Sequence, residues 1–159
     1  MYKKLAVYGV AALLGIATAV AFNAVFTVMT IKGSGMDPVL EDGDKVLINK
    51  LETQFEIGDV IAFKSEVYGE EGEGSVLVRR VAGSEGDVVE IRDNIFYLNN
   101  KPYDEYMKEA VHMENVEGVL LDDGEYFVLG DNRRSSMDSR NEAIGVLETE
   151  DCIGKVCFE

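Results

Sequence analysis

The fold is decided at Gly33-Ser34-Gly35-Met36-Asp37-Pro38-Val39-Leu40, where a long uncharged segment gives way to a polar and acidic sequence. All 30 acidic residues of the chain lie from Asp37 onward. The folded domain is therefore expected to begin at this stretch. The 159 residues leave room for one membrane segment and one domain of roughly 125 residues, but not for two full domains.

The preceding segment, residues 5–31, carries no charge and predicts a membrane anchor. About 20 apolar residues are enough for a helix to cross the hydrocarbon core. A cleaved signal peptide is the alternative, but this segment is longer than the apolar region of such peptides. Its last part, residues 24–32, is rich in β-branched and aromatic residues and is expected to leave the bilayer as the first strand.

Lys3 and Lys4 favour a cytoplasmic N-terminus, because positive charge is enriched on the cytoplasmic side of membrane segments. We therefore expect a cytoplasmic tail (1–4), a transmembrane anchor in the cell membrane (5–31) and an extracytoplasmic domain (32–159). From residue 33 onward there are 12 basic and 30 acidic residues. Such a surface repels phosphate backbones, so nucleic acid is not expected as a partner, whereas the lipid bilayer is.

The domain is predicted to be mainly β, because short apolar runs alternate with Gly-Asp or Asp-Gly turns. Strands are expected at 46–48, 60–63, 76–78, 88–91, 95–98, 126–129 and 153–158. Arg92-Asp93-Asn94 and Asn99-Asn100-Lys101 predict tight turns, since Asn and Asp tolerate positive φ. A short helix is expected around 105–113.

The residues by themselves name no catalyst. His112, the single histidine, is expected at the surface rather than in a Ser-His-Asp triad. Asp131 and Asp138 are expected to brace a polar loop through backbone N–H groups and neighbouring arginines. Cys152 and Cys157 would point to opposite faces of a strand, too far apart for a disulfide, and they lack metal-ligand spacing. No metal or cofactor is expected.

Two stretches resemble the signal peptidase I family: residues 33–38 resemble its nucleophile motif, and Gly130-Asp131-Asn132-Arg133-Arg134-Ser135-Ser136-Met137-Asp138-Ser139-Arg140 resembles its last conserved box. Segments 42–44, 58–63, 78–87 and 95–102 resemble its other strands, so the resemblance covers nearly the whole chain. It implies a signal-peptidase-like β domain of short antiparallel strands with a single N-terminal transmembrane helix.

In this family a serine attacks the scissile carbonyl and a neutral lysine takes its proton. The matching positions here are Gly35 and Arg79. Gly35 has no side chain to attack with, and a guanidinium keeps its proton to above about pH 12, so Arg79 is no general base near neutrality. Ser34 is the fallback nucleophile, but in an extended segment it faces away from position 35 unless Gly35 permits a bulge, and it still needs a base.

The resemblance also implies supporting roles. Ser136 would be the hydroxyl that contacts the base, and Asp138 with Arg140 would form a supporting ion pair. An extended substrate would lie as an added strand between 33–36 and 59–63. The residues expected to contact it are Ser34, Met36, Pro38, Val60, Ile61, Ala62 and Phe63.

The leading hypothesis is a catalytically silent relative that holds an extended peptide, a preprotein segment or a surface-assembly protein at the outer membrane face. It resembles accessory proteins that assist assembly of surface polymers such as pili, which is an analogy only. The alternative is an active signal peptidase I with a displaced or altered dyad. A soluble self-cleaving repressor is disfavoured by segment 5–31 and by the absence of a DNA-binding region.

Overall fold

The structure is a computed structural model that describes residues 2–67, 75–103 and 111–157. Within these residues one helix, α1 (Tyr2–Val25), is followed by strands. The strands are β1 (Phe26–Thr30), β2 (Lys45–Asn49), β3 (Val60–Ser65), β4 (Ser75–Gly83), β5 (Val88–Arg92), β6 (Ile95–Leu98), β7 (Lys101–Pro102), β8 (Val116–Leu120), β9 (Glu125–Leu129), β10 (Leu147–Glu148) and β11 (Cys152–Val156). A 3-10 turn, Thr149–Asp151, leads into β11.

The strands form two sheets in which the neighbouring strands are antiparallel. The larger sheet has the order β1-β2-β11-β3-β4-β9-β10, and the smaller has the order β7-β6-β5-β8. Phe96 of the smaller sheet stacks on Phe127 of the larger, with ring centroids 6.0 Å apart, inside a shared apolar cluster. The mainly β, antiparallel fold predicted from the sequence is therefore confirmed.

Helix α1 ends earlier than the predicted anchor. Its segment Val7–Val25 has a mean hydropathy of 1.8, is not buried against the rest of the protein, and is long and apolar enough to cross a membrane. From Phe26 to Thr30 the chain is strand, paired with β2 residue by residue, because its β-branched and aromatic residues suit a sheet. The helix begins at Tyr2, so residues 2–4 are helical, and the apolar span starts at Val7.

Lys50 ties the end of α1 to the domain. Its backbone N–H donates to the carbonyl of Val25 at 2.8 Å, and its Nζ donates to the carbonyl of Asn23 at 2.6 Å. A cation at a helix C-terminus satisfies carbonyls that have no partner within the helix and complements the helix dipole. The anchor helix therefore enters the sheet through a braced junction.

The predicted strands are present where the structure describes them, but the local pattern missed β7, β8 and β10 and the extension of β4 to Gly83. Both predicted turns are confirmed: Asp93, Asn94, Asn99 and Asn100 have φ of 52°, 64°, 52° and 64°. Most of the predicted helix at 105–113 lies outside the described residues, and its last three residues are irregular. Phe158 also lies outside them.

The two cysteines are free thiols with different surroundings. Burial raises the pKa of Cys152 to about 12, and the negative charge of Asp151 adds to the effect, whereas Cys157 is exposed. At about pH 8 the reactive thiolate is then roughly one part in ten thousand of the Cys152 side chains.

We expect iodoacetamide to modify Cys157 before Cys152, measured by peptide mass spectrometry. Equal rates at the two thiols would contradict this assignment.

Candidate active site

The stretch 33–40 is a series of turns rather than an extended segment. The backbone N–H of Asp37 donates to the carbonyl of Ser34 at 3.2 Å, and that of Leu40 donates to the carbonyl of Met36 at 3.1 Å. Met36 and Leu40 are buried in the core and hold these turns in place. The alternation expected for an extended segment therefore does not apply, and Ser34 faces a groove, where its Oγ donates to Ser135 Oγ at 3.3 Å.

The Arg79 guanidinium lies directly against Gly35. A β-carbon added at Gly35 would be 2.9 Å from Nη2, 3.0 Å from Cζ and 3.1 Å from Nη1 of Arg79. Arg79 is 7% exposed, and its Nε donates to the carbonyl of Met137 at 2.8 Å while Nη1 donates to the carbonyl of Val78. The two positions that the family resemblance paired are therefore in contact, and the guanidinium fills the space that a side chain at position 35 would need.

Ser136 lies beside this pair. Its Oγ is buried and has no hydrogen-bond partner in the part of the chain that the structure describes. A β-carbon on Gly130 would overlap both Ser136 Oγ and the carbonyl oxygen of Gly35, so the close approach of the loop requires glycine at position 130. The family resemblance implies that the Ser136 hydroxyl contacts the base. In the described part of the chain this hydroxyl is buried and makes no hydrogen bond.

Two arginine–aspartate pairs brace the loop that carries Ser136. Asp138, 1% exposed, accepts from Arg140 Nε and Nη2 at 2.8 Å each and from the backbone N–H of Gly130 at 2.8 Å. Asp131 accepts from Arg80 Nε at 2.8 Å and from its Nη2 at 2.6 Å. Both predicted roles for these aspartates, bracing the loop and pairing Asp138 with Arg140, are present in the structure.

Asn132 joins this loop to the turn at position 35, which sequence reasoning missed. Its Nδ2 donates to the carbonyl of Ser34 at 2.9 Å, and its backbone N–H donates to the carbonyl of Gly35 at 3.1 Å. The signal was available, since Asn132 is part of the Gly-Asp-Asn run that matches the family's last box. Its amide fixes the position of Gly35 relative to the braced loop.

A groove of about 800 Å³ opens beside Gly35. One wall is formed by residues 28–30 of β1 and by the 32–35 segment, and the other by residues 75–77 and Arg79, with Ser135 and Met137 nearby. β4 pairs with β3 over residues 75–80 but with β9 only from Arg80 onward. Within the described residues, the second edge of the first half of β4 is therefore unpaired, and an extended peptide can add to it.

The groove differs from the predicted substrate-binding set. Ser34 lines it, but Met36 and the four residues Val60, Ile61, Ala62 and Phe63 are at most 3% exposed and do not, and Pro38 is exposed outside it. Residues 61–63 of β3 are paired with both β11 and β4, which leaves no edge there for another strand. The wall that the sequence did not reveal is 75–77.

Comparison with known proteins identifies one family. The family model described as "Signal peptidase, peptidase S26" matches residues 3–159. Signal peptidase IB of Staphylococcus aureus (strain Mu50) is 32% identical, over 90% of this chain and 85% of its own. Signal peptidase I U of Bacillus subtilis (strain 168) is 35% identical, over 78% of this chain and 70% of its own.

A crystal structure of a signal peptidase I from Enterococcus faecalis V583 is similar at a TM-score of 0.50 and 27% identity, and the match covers 64% of this chain and 96% of that one. The chain belongs to the signal peptidase family, peptidase S26. Family membership supports cleavage of signal peptides as the activity of the family, and with the apolar helix it supports a membrane anchor.

Proposed function

We propose that this chain is a membrane-anchored member of the signal peptidase family that holds an extended peptide in the groove beside Gly35 without cleaving it by the serine–lysine route. The observation that carries this proposal is the contact between the Arg79 guanidinium and Gly35. A permanently charged group occupies the place of the base, and it fills the space in which the nucleophile would stand. Peptide-bond cleavage by the serine–lysine route therefore lacks both its nucleophile and its base at this position.

Loss of either member of a cooperating pair costs about as much activity as loss of both, so one substitution alone would already silence the route. Ser34 supplies a hydroxyl in the groove, but that hydroxyl donates to Ser135 and not to a base. The supporting elements persist, namely the Asp138–Arg140 pair, the Asn132 amide and the buried Ser136 hydroxyl. They hold the groove in shape whether or not bond cleavage takes place.

The place of action follows from the anchor. Lys3 and Lys4 favour a cytoplasmic N-terminus, which puts the domain and its groove at the outer face of the cell membrane. Since β1 follows α1 directly and lines the groove, a peptide bound there lies beside the bilayer. The occupant we propose is an extended segment of a preprotein or of a surface-assembly protein, as in accessory relatives that serve pilus assembly.

The test uses the full chain in detergent with preproteins that carry small residues before their cleavage site. We expect no processing, together with cross-linking to the preprotein from a photoreactive residue at position 76. Position 88 is the matched control, because Val76 and Val88 are strand valines that are 41% and 40% exposed, and only Val76 lines the groove. Processing that Ser34→Ala abolishes would instead establish an active enzyme with a displaced nucleophile.

A further inference from the structure

The groove has the opposite charge to the domain around it. Its lining residues include two cations, Lys32 and Arg79, and no aspartate or glutamate among those that the structure describes. The chain from residue 33 onward has 30 acidic and only 12 basic residues. A cleft lined by one sign of charge concentrates ligands of the other sign.

Arg79 lines this groove next to Gly35. Two carbonyl oxygens, those of Met137 and Val78, hold its guanidinium in one orientation, and the side chain is only 7% exposed. A guanidinium that is already desolvated and oriented loses little more on binding, and its planar fork matches the two oxygens of a carboxylate. It therefore favours a carboxylate over a neutral amide at this point.

Hydroxyl groups complete the surroundings. Thr30, Ser34, Ser75 and Ser135 line the groove. The Ser34 hydroxyl already donates to Ser135 Oγ, and the Ser75 hydroxyl donates to the carbonyls of Ser65 and Val67, so the hydroxyls that can donate to a carboxylate oxygen are those of Thr30 and Ser135. The unpaired edge of β4 offers backbone groups to the rest of an extended chain, and it leads directly to Arg79. Strand addition along residues 75–77 thus brings one end of a bound peptide to the guanidinium.

We infer that the groove selects an extended peptide that carries a carboxylate, bound by Arg79 with Lys32 adding to the attraction. This inference rests on the proposed function, and it names the substrate class of the same site. The carboxylate is either the C-terminal group of a chain or the side chain of an aspartate or glutamate.

The test compares three forms of one acetylated five-residue peptide of alternating valine and alanine: one with a free C-terminal carboxylate, one with a C-terminal amide, and one amide with aspartate as its last residue. Binding to the full chain in detergent is measured by isothermal titration calorimetry, which needs no label on the peptide. We expect at least one carboxylate form to bind about tenfold or more tightly than the neutral amide, as for a charge-assisted hydrogen bond to a buried partner. The carboxylate form that binds more tightly identifies the source of the charge.

Arg79→Gln is expected to remove this preference, and Lys32→Gln is expected to reduce it. Arg92→Gln is the matched control, because it removes the same charge from an exposed site on β5 outside the groove lining and should leave the preference unchanged. If Arg79→Gln does not fold, the inference is tested by comparing the three peptides on the unaltered chain and by the Lys32→Gln variant. Equal binding of acid and neutral forms would overturn the inference and leave the proposed peptide binding standing, whereas no binding of any form would overturn both.

Discussion

Gly35→Ser combined with Arg79→Lys is expected to create peptidase activity toward preproteins, whereas either substitution alone leaves the protein inactive. The double change supplies a hydroxyl at position 35 and replaces a fixed cation by an amine that burial can neutralise. It also gives the buried Ser136 hydroxyl a candidate partner. Because the two groups act as a unit, we expect the double variant to exceed either single variant by on the order of 10³-fold, measured by preprotein processing.

Gly35→Ser and Arg79→Lys are also expected to have coupled effects on the free energy of unfolding. A serine β-carbon at position 35 would meet Arg79 Nη2 at 2.9 Å, so Gly35→Ser alone is expected to destabilise the domain by about 1–3 kcal/mol through overpacking. With Arg79→Lys the clash is relieved, which gives a coupling free energy of about 1 kcal/mol or more in a double-mutant cycle of chemical denaturation. Gly118→Ser is the control, since a β-carbon there meets only Val88 Cγ1 at 3.8 Å.

Two outcomes would contradict this account. A Gly35→Ser variant as stable as the original chain, with additive effects in the cycle, would mean that the guanidinium does not fill the nucleophile's space. A double variant that folds and binds peptide without processing it would mean that the groove has lost the geometry of cleavage beyond the two substituted positions.

Asp138→Asn is expected to lower the free energy of unfolding by about 3 kcal/mol or more. The side chain of Asp138 is fully buried and that of Arg140 is 12% exposed, so the substitution leaves a buried guanidinium without its counter-ion and weakens the acceptor of the Gly130 N–H. Chemical denaturation followed by circular dichroism measures the loss.

Glu90→Gln is the matched control for this prediction. Glu90 pairs with Arg92, also two residues away, but the two side chains are 28% and 41% exposed, and such surface pairs contribute little to stability. We expect no measurable change from it. Similar losses from the two substitutions would show that the loop is held by something other than the buried pair.

The sequence predicts the strands of this fold well where the signal is local. Alternating apolar runs and Asp or Asn turns mark β5 and β6, and positive φ at Asn94 and Asn100 follows from residue type alone. The groove wall was predicted on the wrong strand, because its position depends on long-range strand pairing and not on a local signal. Whether β3 or β4 offers an open edge depends on which strands pair with it from distant parts of the chain, and no periodicity within 60–65 or 75–83 encodes that choice.

The site divides in the same way. Matching motifs predicted the Asp138–Arg140 pair, which the structure contains, while the catalytic roles assigned to positions 35, 79 and 136 stay predictions. The direction in which the Ser34 side chain points could not be predicted, because it depends on turns that are fixed by the burial of Met36 and Leu40. The contact between Gly35 and Arg79 joins residues 44 positions apart and required the folded chain.

With α1 as the proposed anchor, the braced junction at Lys50 is expected to set the distance between the groove and the lipid. A 19-residue apolar helix is about 28 Å long, close to the thickness of a bilayer's hydrocarbon core, and the groove wall begins at Val28, three residues and about 10 Å further on. Because β1 follows α1 without a linker, we expect the domain to be held at one fixed height. We then expect only chains whose extended part emerges within that short distance of the headgroups to reach the groove, which would make proximity to the membrane a filter on what the protein captures.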